Sequence, residues 1–406
     1  CDNTINHHNT LTYCETIEAT NPCVTADTWV MTGDGPRQVR ELVGVAFTAI
    51  VHGRAHEVES DGFFPTGIKP VLKLTTSEGH ALRLTADHLV RRVARQTRWV
   101  REVEWVPAGQ LAPGDELVLN DHRALNGWQG AGTDAEGYLL GLLIGDGTLK
   151  HDKAVISVWA PEWKAVANGE RSCAPTSVAG IVAAAAAAAA TLEHRADFRG
   201  FQRPIAGRGE MRLASTPLAR LARDWGMAPG HKKLTPAIER GGSDFTRGLL
   251  RGLFDADGSV QGAQDKGMSV RLAQSDEALL QAAQRMLLRL GVASTIYREG
   301  RGAQVRHLPD GRGGLKAYDT APQHELVISG DNLHVFADVV GFADHEKSAR
   351  LARALASYRR ALNRERFTAT VASLAEDGTE PVYDVTVADV HAFDANGLEV
   401  HNCGEQ

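Results

Sequence analysis

The 406-residue chain has few cysteines and no long apolar run. Five cysteines are too few for a disulfide-stapled scaffold, so they indicate a reducing, cytosolic compartment. No run approaches the roughly 18 apolar residues of a membrane-spanning helix, and no signal peptide opens the chain, so we expect no membrane association. The chain has 43% hydrophobic and 23% charged residues, which is ordinary for globular proteins, and its length predicts two to three domains.

Basic residues are unevenly distributed, and no lysine or arginine follows Arg366. Residues 121–366 hold 33 Lys plus Arg against 27 Asp plus Glu, although the whole chain has a formal net charge of −6. A basic middle inside acidic ends predicts two modules, of which the middle one is the candidate for binding a polyanion. Random drift of surface charge is the alternative explanation.

The secondary-structure pattern changes twice along the chain. Residues 28–119 consist of short alternating stretches separated by turn signals, which predicts an all-β region. Helical spacing then takes over, as in residues 277–290, and strand patterning returns in residues 382–387. We interpret the alanine run at 183–190 as a helical surface expansion that was tolerated. The order β, then α/β, then β predicts one β domain interrupted by an inserted domain.

The last strands end in a hairpin whose register can be calculated. If Asn396-Gly397 forms a two-residue type I′ turn, Ala392 opposes His401 and His391 lies across from Asn402. An asparagine side chain can attack its own carbonyl carbon to give a cyclic imide, which breaks the following peptide bond. A histidine that donates a proton to the leaving nitrogen assists this cleavage. Without further context, such a His-Asn-Cys triplet ending in Cys403 is usually a surface loop.

Four motifs in order resemble those of the inteins, which are self-splicing protein segments. They are Cys23-Val24-Thr25-Ala26-Asp27-Thr28, Thr85-Ala86-Asp87-His88, residues 382–387 with His391 beyond them, and Val400-His401-Asn402-Cys403. The resemblance implies an all-β splicing domain, of the fold shared with hedgehog proteins, formed by residues 23–119 and 366–402. Residues 1–22 and 403–406 would be the flanking host segments, and residues 120–365 the insertion.

The resemblance also implies a role for each motif residue, without any cofactor. Cys23 would attack the carbonyl of residue 22, with His88 as the acid to the departing nitrogen and Thr85 holding the scissile carbonyl or its oxyanion. Cys403 would then take over the acyl group.

The remaining groups complete the reaction. Asp384 would manage the Cys403 proton, which requires a raised carboxyl pKa, and Asn402 would cyclise with help from His391 and His401. The structural alternatives are a strand residue for Thr85, a core histidine for His88 and a turn carboxylate for Asp384.

The predicted insertion contains a repeated motif. Residues 139–147 recur as residues 250–258, and each copy has an aspartate in its eighth position, Asp146 and Asp257. The pattern resembles the LAGLIDADG homing endonucleases. It implies an α/β domain with pseudo-twofold symmetry whose two aspartates bind Mg²⁺ or another divalent cation and cut double-stranded DNA. Lys233 fits the family's lysine motif, and Lys232 is the second choice.

The insertion and the splicing domain have four alternative interpretations. The repeated helices could be inert packing, or the nuclease could have decayed while its fold persisted. A cysteine–histidine domain that only cleaves, as in hedgehog proteins, is a rival to splicing, although the Asn402-Cys403 pair argues against it. A DNA-binding or structural module without chemistry would not explain the junction residues.

The flanks resemble the catalytic subunit of ribonucleotide reductase, most closely its adenosylcobalamin-dependent class. Removing the intein would join Asn21-Pro22 to Cys403-Gly404-Glu405, a loop that lines the reductase active site in that family. Cys403 would become the thiyl-radical cysteine, with Asn21 and Glu405 as its partners. The resemblance therefore implies a monomeric, cytoplasmic intein whose partners are its flanking segments and the intein-free reductase gene.

Overall fold

The computed structural model describes residues 23–97, 99–159, 176–202, 210–263, 267–301, 304–309, 315–320, 322–357 and 363–402. The chain forms two compact units, one made of Cys1–Asp121 with Phe367–Gln406 and the other of His122–Arg366. This division lies within two residues of the predicted limits of the insertion. The predicted flanks, 1–22 and 403–406, lie outside the described residues. In the described ranges, no helix has the length and apolar character needed to span a membrane.

Strands dominate the first unit on both sides of the insertion. Before the insertion they are β1 Val24–Thr25, β2 Trp29–Thr32, β3 Gly35–Gln38, β4 Thr48–Val51, β5 Arg54–Glu57, β6 Phe64–Thr76, β7 Ala81–Leu84, β8 Leu89–Gln96, β9 Arg101–Pro107 and β10 Glu116–Val118. Two short 3₁₀ helices, Val39–Glu41 and Ala108–Gln110, connect them.

The insertion mixes helices and strands. Its elements are α1 Asp134–Asp146, β11 Gly147–Leu149, β12 Ala154–Trp159, α2 Thr176–Ala189, β13 Phe201–Gln202, β14 Glu210–Ser215, α3 Thr216–Asp224, α4 Pro236–Glu239, α5 Ser243–Asp257, β15 Gly258–Ala263, β16 Gly267–Gln274, α6 Glu277–Arg289, β17 Thr295–Arg301, β18 Gln304–Pro309, β19 Leu315–Thr320, β20 Gln323–Ile328, α7 Asn332–Val339 and α8 His345–Ser357. The chain then returns to β21 Thr368–Asp384, β22 Ala392–Ala395 and β23 Leu398–His401.

The two sequence-distant parts of the first unit interleave in one sheet. Its strand order is β1-β7-β6-β21-β10-β8-β23-β22, with β9 pairing with β8, while β3-β2-β4-β5 form a second sheet. In β7, Leu82 and Leu84 are buried while the residues between them face outward, as the alternating pattern predicts. Because β21 lies between β6 and β10, neither part of the sequence can complete this sheet alone.

The C-terminal hairpin has the predicted register. Ala392 pairs with His401 and Phe393 with Val400. Asn396 and Gly397 both have positive φ, 53° and 95°, as a type I′ turn requires. The register prediction is therefore confirmed.

Two glycine-rich helices form the centre of the inserted unit. A Cβ added to Gly141 of α1 would lie 2.2 Å from the Leu249 carbonyl oxygen, and one added to Gly252 of α5 would lie 2.3 Å from the Tyr138 carbonyl oxygen. The helices can approach this closely only because these positions lack side chains. A β-hairpin follows each helix, β11–β12 after α1 and β15–β16 after α5. This arrangement confirms the predicted α/β repeat.

Two further expectations had different outcomes. The helix predicted at 277–290 is present as α6, with the Asp276 side chain accepting hydrogen bonds from the amides of Ala278 and Leu279. The alanine run lies mostly within α2, but Ala185 and Ala189 are buried. Our interpretation of the run as a surface expansion is wrong for this face, because the small side chains pack into the core.

Candidate active sites

Cys23 lies directly before β1 and is completely buried. Its amide nitrogen donates a hydrogen bond to Thr85 Oγ1 at 3.2 Å, and the Thr85 amide donates to the Cys23 carbonyl at 3.0 Å. We expected the Thr85 hydroxyl at the carbonyl of residue 22. The structure places it within hydrogen-bond distance of the nitrogen of the 22–23 bond, which is the atom that departs when that bond breaks. The carbonyl of residue 22 lies outside the described residues.

The Cys23 sulfur has two polar neighbours that the motifs did not predict. Thr66 Oγ1 lies 2.8 Å from Sγ, and Lys69 Nζ lies 3.5 Å from it. Burial raises the pKa of the Cys23 thiol to about 11, although Thr66 and Lys69 oppose the increase. Both residues belong to β6 and lie outside all four motifs. No sequence signal marked either of them.

His88 is fully buried, next to the junction residue. Its main chain is fixed at both ends, because its amide donates to the Thr85 carbonyl at 3.2 Å and its carbonyl accepts from the Ala108 amide at 2.7 Å. Burial is the largest cause that lowers the pKa of the His88 imidazole to about 3, and nearby His401 contributes to the decrease. A hydrogen bond with the Cys23 main chain opposes it. The imidazole is therefore neutral at neutral pH.

Asp384 ends β21 and is also fully buried. Its Oδ1 accepts a hydrogen bond from the Val385 amide at 2.8 Å. Its negative charge contributes to the raised pKa of the Cys23 thiol. The structure thus brings Cys23, Thr85, His88 and Asp384 together, although three separate motifs supply them.

Asn402 follows β23 and is fully buried, between two histidines. Its amide donates to the His391 carbonyl at 3.1 Å, and His401 Nδ1 donates to the Asn402 carbonyl oxygen. Burial lowers the pKa of the His401 imidazole, whereas this hydrogen bond opposes the change. His401 also packs edge-on against Trp105, with ring centroids 4.9 Å apart. Cys403 lies outside the described residues.

A second site lies where the two central helices of the inserted unit end. Asp146 is the last residue of α1, and Asp257 is the last of α5. A Cβ on Gly145 would lie 3.0 Å from Asp257 Oδ2, so the helix ends are adjacent. Burial and the charge of Asp146 together raise the pKa of the Asp257 carboxyl to about 6.

The oxygen donors of this second site fit a hard divalent cation. Among the described residues, no group of three or more His, Cys, Asp or Glu side chains forms a complete metal site. Two carboxylates would leave most coordination positions to water and phosphate, which is the pattern that Mg²⁺ prefers.

Two lysines lie beside these helix ends. Lys232 Nζ donates to the Leu143 and Ile144 carbonyls at 3.0 and 3.1 Å, and Lys347 Nζ donates to the Phe254 and Asp255 carbonyls at 3.1 and 2.6 Å. The two sets of carbonyls occupy equivalent positions in the two motif copies. Burial lowers the pKa of both ammonium groups, while Asp146 and Asp257 oppose the change.

The choice between the two candidate lysines is corrected by this geometry. The sequence favoured Lys233, but its side chain is exposed, whereas the half-buried Lys232 contacts the end of α1. The counterpart, Lys347, was missed. It lies far along the chain from Asp257, and only the repeated fold brings it to the site.

Comparisons with known proteins found relatives for parts of this chain. Residues 244–341 match the LAGLIDADG-like domain family. The alpha subunit NrdEB of a Bacillus subtilis ribonucleoside-diphosphate reductase is 33% identical over 198 residues, covering 48% of this chain and 18% of that protein. The replicative DNA helicase DnaB of Rhodothermus marinus is 27% identical over 458 aligned positions, covering 95% of this chain and 46% of that protein. The chain thus spans less than half the length of either relative.

Two solved structures are similar to the chain over different shares of its length. The homing endonuclease I-DmoI, in complex with DNA and Ca, covers 54% of this chain and 97% of its own at 19% identity and a TM-score of 0.31. The Ssp DnaB mini-intein variant M86 covers 95% of this chain and 97% of its own at 10% identity and a TM-score of 0.30.

The family match and the paired helices that end in aspartates identify the inserted unit as a LAGLIDADG-like domain. This domain interrupts a β unit whose described residues begin at the buried Cys23 and end at Asn402. This is the arrangement that the resemblance to the inteins implies.

Proposed function

We propose that residues 23–402 excise themselves by protein splicing and join residues 22 and 403 through a peptide bond. The observation that carries this proposal is that one β unit holds Cys23 against Thr85 and Asn402 against His401, at the two ends of the segment to be removed. The influence of His401 on the pKa of His88 supports a coupling between the two junctions.

The first step is the acyl shift at Cys23. The Thr85 hydroxyl accepts from the departing nitrogen and orients it. His88 is neutral before the reaction, because its pKa is about 3, so it must take up a proton before it can donate one to that nitrogen. Holding these groups in place replaces any need for a cofactor.

The later steps belong to the C-terminal junction. Cys403 accepts the acyl group from Cys23, and Asp384 takes up the proton that the Cys403 thiol loses. The His401 imidazole, through its hydrogen bond to the Asn402 carbonyl oxygen, polarises the carbon that the Asn402 side chain attacks. His391, whose carbonyl accepts a hydrogen bond from the Asn402 amide, would supply the proton to the departing nitrogen.

The inserted unit is proposed to cut both strands of DNA at the intein-free gene. Asp146 and Asp257 would hold the divalent cation, Mg²⁺ in the cell, which would lower the charge of the attacked phosphate and activate water. Lys232 and Lys347 hold the ends of α1 and α5 and place positive charge beside the carboxylates. Lys233, whose side chain is exposed, has no role in this proposal.

The host is proposed to be a ribonucleotide reductase catalytic subunit, in line with the Bacillus relative. Once Asn21-Pro22 is joined to Cys403, that cysteine would serve as the radical site, with Glu405 beside it. Adenosylcobalamin would be the cofactor of the spliced host alone.

Intact masses after expression test the splicing proposal. We expect ligated flanks and a free 23–402 segment from the natural sequence. In Cys23→Ala, we expect only cleavage after Asn402, because cyclisation needs no thioester. In Asn402→Ala, the bond to Cys403 should persist. Separated but never ligated flanks would favour a domain that only cleaves.

A further inference from the structure

The strand β6 supplies an ammonium group to the reacting sulfur. Lys69 pairs with Glu380 in the β6–β21 ladder, three residues beyond Thr66 on the same strand. Both side chains reach Cys23, with Lys69 Nζ 3.5 Å and Thr66 Oγ1 2.8 Å from Sγ. A completely buried thiol therefore has a cation within hydrogen-bond distance of its sulfur.

The two polar contacts of the sulfur differ in what they can donate. The Thr66 hydroxyl lies 3.2 Å from the Val382 carbonyl and 2.8 Å from Sγ, and either partner of the Thr66–Cys23 contact can be the donor. Lys69 is a donor only, so its N–H points at a sulfur lone pair. When the thiol loses its proton, Lys69 is already placed to stabilise the negative charge on sulfur.

The other charged and titratable groups near this thiol do not provide that stabilisation. A negative charge on Asp384 of β21 opposes thiolate formation, as does burial of the sulfur. His88, which follows β7, is neutral at neutral pH because its pKa is about 3. Lys69 is therefore the positive charge that favours ionisation of Cys23 among the described neighbours.

We propose that Lys69 is a catalytic residue of the acyl shift, and that its ammonium group stabilises the Cys23 thiolate that attacks the carbonyl of residue 22. This assignment rests on the proposed splicing function. In the step, a carbon–sulfur bond forms and the carbon–nitrogen bond of Cys23 breaks. One proton leaves sulfur and one reaches nitrogen, so no other reactant is consumed, and Lys69 keeps its charge throughout.

The test uses the full chain with Asn402→Ala and Cys403→Ala, which confines the chemistry to the first step. Dithiothreitol releases residues 1–22 from a thioester, and the rate is measured from pH 6 to 10 by intact mass. An opposite charge at this distance shifts a thiol pKa by about one unit or more. We therefore expect Lys69→Met to slow release about tenfold at pH 7 and to move the rate profile to higher pH.

Matched variants separate charge from structure. Lys69→Arg keeps the charge and should retain most of the rate, whereas Lys69→Gln should behave like Lys69→Met. Lys73→Met changes an exposed lysine on the same strand and should leave the profile unchanged. A profile of Lys69→Met that coincides with that of Lys73→Met, or a loss that is equal at every pH, would overturn the proposal.

A second measurement is independent of cleavage. With Cys1, Cys14, Cys173 and Cys403 replaced by alanine, Cys23 is the one cysteine left, and the ¹³C shift of its β carbon reports ionisation directly. We expect Lys69→Met and Lys69→Gln to raise the midpoint by about one unit or more. If no variant releases residues 1–22 but this midpoint still moves, the splicing proposal is contradicted and the stabilisation of the Cys23 thiolate by Lys69 is supported. An unmoved midpoint refutes the role of Lys69.

Discussion

Trp29 and Asn396 exchange two hydrogen bonds although 367 positions separate them in the sequence. The Asn396 amide donates to the Trp29 carbonyl at 2.9 Å, and the Trp29 amide donates to Asn396 Oδ1 at 2.8 Å. Asn396 Nδ2 also donates to the Ala81 carbonyl at 2.9 Å. The turn of the C-terminal hairpin is thus fixed to strands β2 and β7, which precede the insertion. This attachment holds Asn402 in the same unit as Cys23.

Removing the Asn396 side chain should weaken this attachment. Asn396→Ala removes two side-chain hydrogen bonds and places alanine at φ 53°, whereas Asn396→Gly removes only the bonds. We expect the unfolding free energy of the first unit to fall by about 2 kcal/mol in Asn396→Gly and by more in Asn396→Ala. Hydrogen exchange of β22 and β23, in a background that carries Cys23→Ala and Asn402→Ala, measures this change in unfolding free energy. Equal protection in all three proteins would contradict the prediction.

The buried neutral His88 predicts acid sensitivity of the first unit. The pKa of the His88 imidazole is about 3 in the folded protein and about 6.5 in the unfolded chain. Between these pH values the unfolded chain binds a proton at this histidine and the folded protein does not. This contribution to stability is complete above pH 6.5 and decreases as the pH falls toward 3, by about 2 kcal/mol at pH 5. Exchange protection of β8, corrected for intrinsic rates, should therefore decrease between pH 7 and 5.

His88→Gln provides the control for this pH dependence. It removes the titrating group, so its stability should depend less steeply on pH, even if it is lower at pH 7. Some dependence should persist, because the pKa of His401 is lowered as well. An unchanged slope in His88→Gln would show that other groups cause the acid sensitivity.

Local sequence signals predicted the hairpin register, but not the groups that other strands bring to the motif residues. The Asn396-Gly397 turn fixes its register by local backbone geometry, so the position of His401 followed from counting. Lys69 reaches Cys23 only because β6 pairs with β21. Lys232 and Lys233 are adjacent in the sequence, but only the Lys232 side chain is directed toward the end of α1. Such contacts depend on tertiary packing, which no local pattern encodes.

The insertion should be removable because its ends meet. The Leu119 amide donates to the Phe367 carbonyl at 2.8 Å, and Val118 pairs with Thr368. We expect that replacing residues 122–366 with a short Gly-Ser linker leaves the splicing rate within about tenfold of the full chain, because inserted domains join at close ends. Splicing yield by intact mass measures this. A folded deletion variant with no ligated product would contradict the independence of the two units.

The two aspartates should be needed for cutting and not for splicing. Asp146→Asn or Asp257→Asn removes one charge from a paired carboxylate site, so each should lower Mg²⁺-dependent cleavage of an intein-free reductase gene by at least about a hundredfold. Lys233→Met, at the exposed neighbouring lysine, is the control and should keep activity. Cleavage is followed on supercoiled plasmid, and splicing on the same samples. Full cleavage by both asparagine variants would remove these residues from the site.

A close contact between α1 and α5 predicts a variant that separates the two functions by packing alone. A methyl group at Gly141 would lie 2.2 Å from the Leu249 carbonyl oxygen and 2.8 Å from the Leu253 amide, which are main-chain atoms that cannot turn aside. Gly141→Ala must therefore push α1 and α5 apart, at a cost of about 3 kcal/mol or more, and misplace Asp146 relative to Asp257. We expect DNA cleavage to fall at least about tenfold while splicing stays normal. Gly33→Ala, whose methyl would meet Thr48 Cβ at an ordinary 3.4 Å, should preserve both activities. Undiminished cleavage by Gly141→Ala would show that the aspartates do not depend on this helix contact for their spacing.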